Sequence, residues 1–147
     1  RKVSKLWWLV MGLDGLHLIV DANATKGLCD REYVEDWIRW AVRFSGMTLL
    51  GIQSHLLPTS LDSGPGVSTI AILAESHISV HTWPEHNVVT MDFYSCKPYD
   101  PRKVLDEFNQ AFGVTEHIRY RAISRWGKAI EMEGHHVETV NGPVASG

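Results

Sequence analysis

The order of secondary-structure signals constrains the fold of this chain more than any other feature. Strand-like apolar runs recur along it, and helical apolar stripes interrupt them only near residues 30 and 100. Leu16, Leu18 and Val20 alternate with His17, Ile19 and Asp21, the period of a strand over 16–22. A loop with Gly27 follows over 23–30, and Asp30 can cap a helix. Tyr33, Trp37, Trp40, Ala41 and Phe44 recur at helical spacing, which predicts one buried face, and Gly46 ends the helix. Further strands are expected over 47–53, closed by His55 and Pro58, and over 67–74, 77–83, 88–94 and 114–124. Ser60, Ser63, Gly64, Pro65 and Gly66 make 59–66 a loop. Pro101 suits the first turn of a helix to about Phe112, with Val104, Leu105, Phe108 and Phe112 inward. The polar, Gly-rich tail after Trp126 is expected to be mobile.

The resulting order is strand, helix, three hairpin-like strands, a fourth strand, helix, strand. It predicts an α+β sandwich: an antiparallel sheet with two helices on one face. The other sheet face then lies bare in a monomer. A homodimer or higher homo-oligomer would cover it and complete the sandwich.

Composition excludes several classes. At 147 residues the chain suits one compact domain, expected over 1–147. Hydrophobic residues at 44% and charged residues at 21% rule out a wholly disordered chain. Fourteen Lys and Arg against 17 Asp and Glu leave a net charge of −3, with no basic excess for nucleic acid. The longest apolar stretches, such as 67–74, fall far short of the ~20 residues of a membrane helix. No secretory signal is visible in a sequence that begins at Arg1. Cys29 and Cys96 are too few for a disulfide scaffold and read as free thiols of a cytoplasmic protein.

The segment 75–85, Glu75-Ser76-His77-Ile78-Ser79-Val80-His81-Thr82-Trp83-Pro84-Glu85, carries the densest chemistry. On a strand His77, Ser79 and His81 share one face. Three readings compete. The face could be an ordinary solvated one. His77 and His81 could hold a metal with His55 or His86, although no Cys or HExxH spacing supports it, and no metal is expected. Ser76 could be a nucleophile with a nearby His as base and Cys96 as a second reactive group. The Gly-x-Ser-x-Gly elbow is absent, against an α/β-hydrolase.

Ala74-Glu75-Ser76-His77 followed by His81-Thr82-Trp83-Pro84-Glu85 resembles the self-cleavage segment of bacterial and archaeal S-adenosylmethionine decarboxylases. Gly66-Val67-Ser68 upstream and Asp92-Phe93-Tyr94-Ser95-Cys96 downstream extend the resemblance, which runs over about 16–120. It implies a proenzyme cut between Glu75 and Ser76 into a β chain 1–75 and an α chain 76–147. It implies that Ser76 becomes a pyruvoyl group, the cofactor, which takes the substrate amine as a Schiff base. Ser68 then assists processing, His81 removes the Cα proton of residue 76, and Cys96 returns a proton to the substrate. Beside those roles, Cys96 could be a small buried hydrophobe and His77 a packing residue.

The family's commonest activity is decarboxylation of S-adenosylmethionine for polyamine and spermidine biosynthesis. Some members act instead on L-arginine or L-ornithine, so the scaffold leaves the substrate open. Typical S-adenosylmethionine-specific members carry an aromatic residue where this chain has Leu56. The loop 59–65 is longer than usual and holds Asp62, which could pair with a distal cation or only cap the loop. Trp83 or Tyr94 could supply a stacking face, and Glu85 completes the candidate substrate-binding set. A non-cleaving relative acting as a regulatory partner is a third reading, and the retained Ser68, Ser76, His81 and Cys96 argue against it.

Overall fold

Alternation of apolar and polar residues builds the sheet. In a computed structural model of the chain, residues 15–59, 62–125 and, as backbone, 130–136 are described. The strands are β1 (Leu16–Ala24), β2 (Leu49–Leu57), β3 (Gly66–Leu73), β4 (Ser76–Trp83), β5 (Val88–Ser95), β6 (Val114–Ser124) and β7 (Ile130–His136). They form one sheet in the order β2-β3-β4-β5-β1-β6-β7. Every pairing is antiparallel. The helices are α1 (Arg31–Phe44) and α2 (Pro101–Phe112).

Leu18, Val20 and Ala22 of β1, Val67, Ala71 and Leu73 of β3, Ile78 and Val80 of β4 and Val89, Met91 and Phe93 of β5 point to one face and are buried. Both helices cover that face. Val104, Leu105, Phe108 and Phe112 of α2 enter the core, as their spacing predicts. Asp100 caps α2 through the Arg102 and Lys103 amides, and Gly113 closes it in the left-handed conformation. The other face carries His17, Ile19, Ser68, Ile70, Ile72, His77, Ser79, His81, Asp92 and Tyr94 by strand register. Ile70 and Ile72 are 46% and 57% exposed there, so among the described residues the face opposite the helices is left open.

Three expectations change. The buried side of α1 is Val34, Trp37, Ile38, Ala41 and Val42, while Tyr33 and Phe44 are exposed. The aromatic stripe is turned off the sheet: Trp37 packs edge-on to Phe108 and Phe112, and Tyr33 edge-on to Phe112. Large rings reach α2 along the flank, leaving the smaller aliphatics to sit on the sheet. Second, β2 starts at Leu49 and runs through His55 to Leu57, because its pairing with β3 continues to Leu57–Gly66. Third, the segment after Trp126 contributes β7, paired with β6; the mobility expected of 137–147 falls outside the described residues. No helix among the described residues is long and apolar enough to cross a membrane.

Candidate active site

Thr48 and Cys96 close on the residue before the Glu75–Ser76 bond near one end of the sheet. Ala74 and Glu75 form the two-residue link between β3 and β4, and Leu73 pairs with Ser76. The Cys96 N–H donates to the Glu75 carbonyl oxygen at 3.0 Å. A donor there draws electron density from the carbonyl carbon and can stabilise an oxyanion formed by attack on it. Ser76 itself has a φ of 151°, a value that residues with side chains rarely adopt. Strain therefore sits at the bond in question.

The Glu75 carboxylate accepts from the Thr48 N–H at 3.0 Å. That bond is the main reason its pKa lies below the ordinary 4.5, with Lys97 adding a smaller pull. Ser95, fully buried, binds both Lys97 backbone groups through its Oγ at 2.9 Å and so fixes the turn that carries Cys96. Cys96 is half-buried and free of any disulfide.

A second group of side chains lies at the far end of β4. Ser68 pairs with His81 across β3 and β4, and Ser68 Oγ lies 2.9 Å from His81 Nδ1. The Trp83 ring is 6.2 Å from the His81 ring. His81, Trp83 and Glu85 line one small cleft of about 170 Å³ with Leu57 and Gly66. Glu85 Oε2 is buried there with no hydrogen-bond partner among the described residues, a site for an incoming donor. Five residues of strand separate Ser76 from His81, about 17 Å at roughly 3.4 Å per residue. Within one chain, His81 and Ser68 therefore do not reach Ser76. An extended strand keeps residues five apart at a distance, however close they stand in sequence.

Between the two groups the open face is polar. His17 Nε2 meets Asp92 Oδ1 at 2.8 Å. The His77 ring lies 5.8 Å from the Tyr94 ring and 6.3 Å from that of His17. The Arg125 guanidinium sits 4.8 Å over Tyr94. Burial, then His17 and Arg125, push the His77 pKa below 6.5, and Asp92 pulls the other way. Tyr94 thus belongs with the Ser76 end and Trp83 and Glu85 with the His81 end. His55 and His81 line one depression on this face, but among the described residues no three His, Cys, Asp or Glu side chains are placed to hold a metal ion.

Leu56 pairs with Val67 and lines a separate cleft of about 750 Å³ with Cys29, Asp30, Tyr33 and Ser63. It stands in the register of the helix-covered face, apart from His81 and Ser68. Asp62 is exposed. His17, Thr48 and Arg125 were not singled out from sequence. His17 had a legible signal, because the polar phases of β1, β4 and β5 coincide once the strands pair. Thr48 had none.

The family model described as S-adenosylmethionine decarboxylase matches residues 16–126. The S-adenosylmethionine decarboxylase proenzyme of Sulfolobus acidocaldarius is 42% identical over 82 residues, 55% of this chain and 62% of that protein. That of Sulfurisphaera tokodaii is 44% identical over 79 residues, 53% of this chain and 60% of that protein. That of Aeropyrum pernix is 42% identical over 104 residues, 66% of this chain and 75% of that protein. The chain thus spans about three fifths of the length of the first two relatives. The crystal structure of the adenosylmethionine decarboxylase from Aquifex aeolicus superposes with a TM-score of 0.65 at 26% identity, covering 83% of this chain and 98% of that one.

Proposed function

Because the chain belongs to the S-adenosylmethionine decarboxylase family, we propose that it is a self-cleaving proenzyme that forms its own pyruvoyl group at Ser76 and decarboxylates S-adenosylmethionine for polyamine biosynthesis. The observation that carries this reading is the Glu75–Ser76 bond: a serine at φ 151° follows a carbonyl already bound by the Cys96 N–H. An acyl shift needs that pairing of hydroxyl, strained peptide and oxyanion donor. The residues present therefore fit the group.

Cleavage follows from these atoms. Ser76 Oγ attacks the Glu75 carbonyl carbon, and the oxyanion stays within reach of the Cys96 N–H. The C–N bond breaks, the amide nitrogen takes the hydroxyl proton, and an ester remains. A base removes the Cα proton of residue 76. The Cβ–O bond then breaks and Glu75 departs as a carboxylate, ending a chain 1–75. Tautomerisation, addition of water and loss of ammonia leave the pyruvoyl group at the head of chain 76–147.

His81 is the base in this reading, and it comes from a second copy of the chain. A two-fold pairing of open faces lays β4 of one protomer antiparallel to β4 of the other. The Ser76 end of each then meets the Ser68–His81 end of its partner. The exposed Ile70 and Ile72 supply apolar area for that contact. With His81 Nδ1–H donating to Ser68 Oγ, Nε2 keeps its lone pair for the proton.

In turnover the pyruvoyl ketone supplies an electron sink for the pair released as CO2 leaves. Cys96, beside residue 76, holds a proton for the substrate α-carbon. Trp83 offers a face to the adenine or the sulfonium. The unpartnered Glu85 oxygen accepts from a sugar hydroxyl. Intact mass should show fragments 1–75 and 76–147, the second with a blocked N-terminus, and Ser76→Ala should stay whole. Purified enzyme should release CO2 from S-adenosylmethionine. Release from arginine or ornithine alone would move the assignment to an amino-acid decarboxylase. A permanently uncut wild-type chain would mark an inert relative.

A further inference from the structure

Two-residue hairpin links normally place positive φ values inside the turn itself, where they match the strand twist. The β3–β4 link does otherwise. Among the described residues that bear side chains, positive φ occurs at Ser76 and Asn87 and not at Ala74 or Glu75. Something outside the hairpin must hold the link in this form, since a free turn would relax and return Ser76 to an ordinary conformation.

The restraint comes from the loop between α1 and β2. Thr48 spends both of its backbone groups on the link: its carbonyl accepts from the Ala74 N–H at 3.0 Å, and its N–H donates to the Glu75 carboxylate at 3.0 Å. That loop is itself anchored. The Met47 N–H donates to the Val42 carbonyl at 2.9 Å and the Lys97 ammonium to the Gly46 carbonyl at 2.6 Å. Ser95 Oγ reaches Met47 Sδ at 3.3 Å. On the other side the Cys96 N–H holds the Glu75 carbonyl. The link is thus gripped from two sides by segments distant in sequence. One of these grips passes through a side chain rather than the backbone.

We infer that the Glu75 side chain is a positioning residue for self-cleavage, acting through its carboxylate on the Thr48 N–H to keep the scissile peptide strained and its carbonyl on the Cys96 N–H. The inference rests on the proposed self-processing and adds to it. The Glu75 carboxylate takes no part in bond making or breaking. Its removal leaves the Ala74–Thr48 backbone bond in place, so the fold persists while the turn and its contact with the Cys96 N–H loosen.

Glu75→Gln and Glu75→Met test it. Both keep the length of the side chain, and only Gln keeps an oxygen that can accept from the Thr48 N–H. Processing of freshly synthesised chain, followed on denaturing gels, should be near wild type in Glu75→Gln. It should be about 3- to 30-fold slower in Glu75→Met, the range for losing one side-chain acceptor from a backbone N–H. In an uncleavable Ser76→Ala background, Glu75→Met should speed hydrogen exchange at the Thr48 and Cys96 amides, and Glu75→Gln should not. Wild-type processing in Glu75→Met, equal slowing in both variants, or unchanged exchange at Thr48 would each overturn the inference. An uncut wild-type chain would instead overturn the self-processing reading, and the exchange measurement would still decide whether the grip exists.

Discussion

Coexpression of two inactive variants tests the composite site most directly. Ser76→Ala removes the nucleophile from one end of β4, and His81→Ala removes the base from the other, about 17 Å away along the strand. Each variant alone should remain uncut. In a two-fold dimer that pairs opposite ends, a mixed dimer has one complete site, built from Ser76 of the His81→Ala chain and His81 of the Ser76→Ala chain. The second site of that dimer lacks both groups. With equal expression and random pairing, about half of all dimers are mixed, so about half of the His81→Ala chains should be cleaved. The Ser76→Ala chains should stay whole. Intact mass distinguishes the two chains and gives both fractions directly. A double variant Ser76→Ala/His81→Ala should act in the opposite sense, lowering cleavage of coexpressed wild type, because a wild-type Ser76 then faces a chain that has lost its base. Absence of cleaved His81→Ala chain in purified mixed dimers would refute the reasoning. So would cleavage of His81→Ala on its own.

Two other outcomes follow from the same geometry. Cys96→Ala keeps the backbone N–H that holds the Glu75 carbonyl, so some chain should still mature, while CO2 release with correct protonation should fall about 10²-fold or more for want of the proton donor; full activity in the matured variant would remove that role. His77 has a folded pKa lowered chiefly by burial. Its contribution to stability is therefore complete above its ordinary value of 6.5 and is lost as pH falls from there toward the lowered value. The urea midpoint should drop between pH 7.5 and 5.5, and His77→Gln should reduce that drop; an identical drop in the variant would assign it to other groups.

Local pattern alone determined much of this protein. Period-two alternation in residues 16–22 and 77–83 is a property of neighbouring side chains, and it put His77, Ser79 and His81 on one face and His17 opposite Leu16, Leu18 and Val20 before any partner strand was known. The stripe Val104, Leu105, Phe108 and Phe112, with Pro101 at its start, specified α2 and its inner side in the same way. The run from Ala74 to Glu85, with Ser68 and Cys96 at their offsets, was enough to name the family and to single out the Glu75–Ser76 bond as the one proposed for cleavage.

What the sequence left open depends on contacts between distant segments. The α1 aromatics turned toward α2 because α2 lies beside them, which their own spacing does not report. β2 ran on to Leu57 because β3 offered it backbone partners that far. Strain at Ser76 arises because Thr48 and Cys96, 27 residues before and 21 residues after Glu75, close on the same short turn. The division of the site into two ends is a matter of length: side chains five apart on an extended strand share no pocket, so only the folded sheet decides which groups meet. Hydrogen bonds and packing of this kind act through space, and their geometry exists only once the chain has brought those segments together.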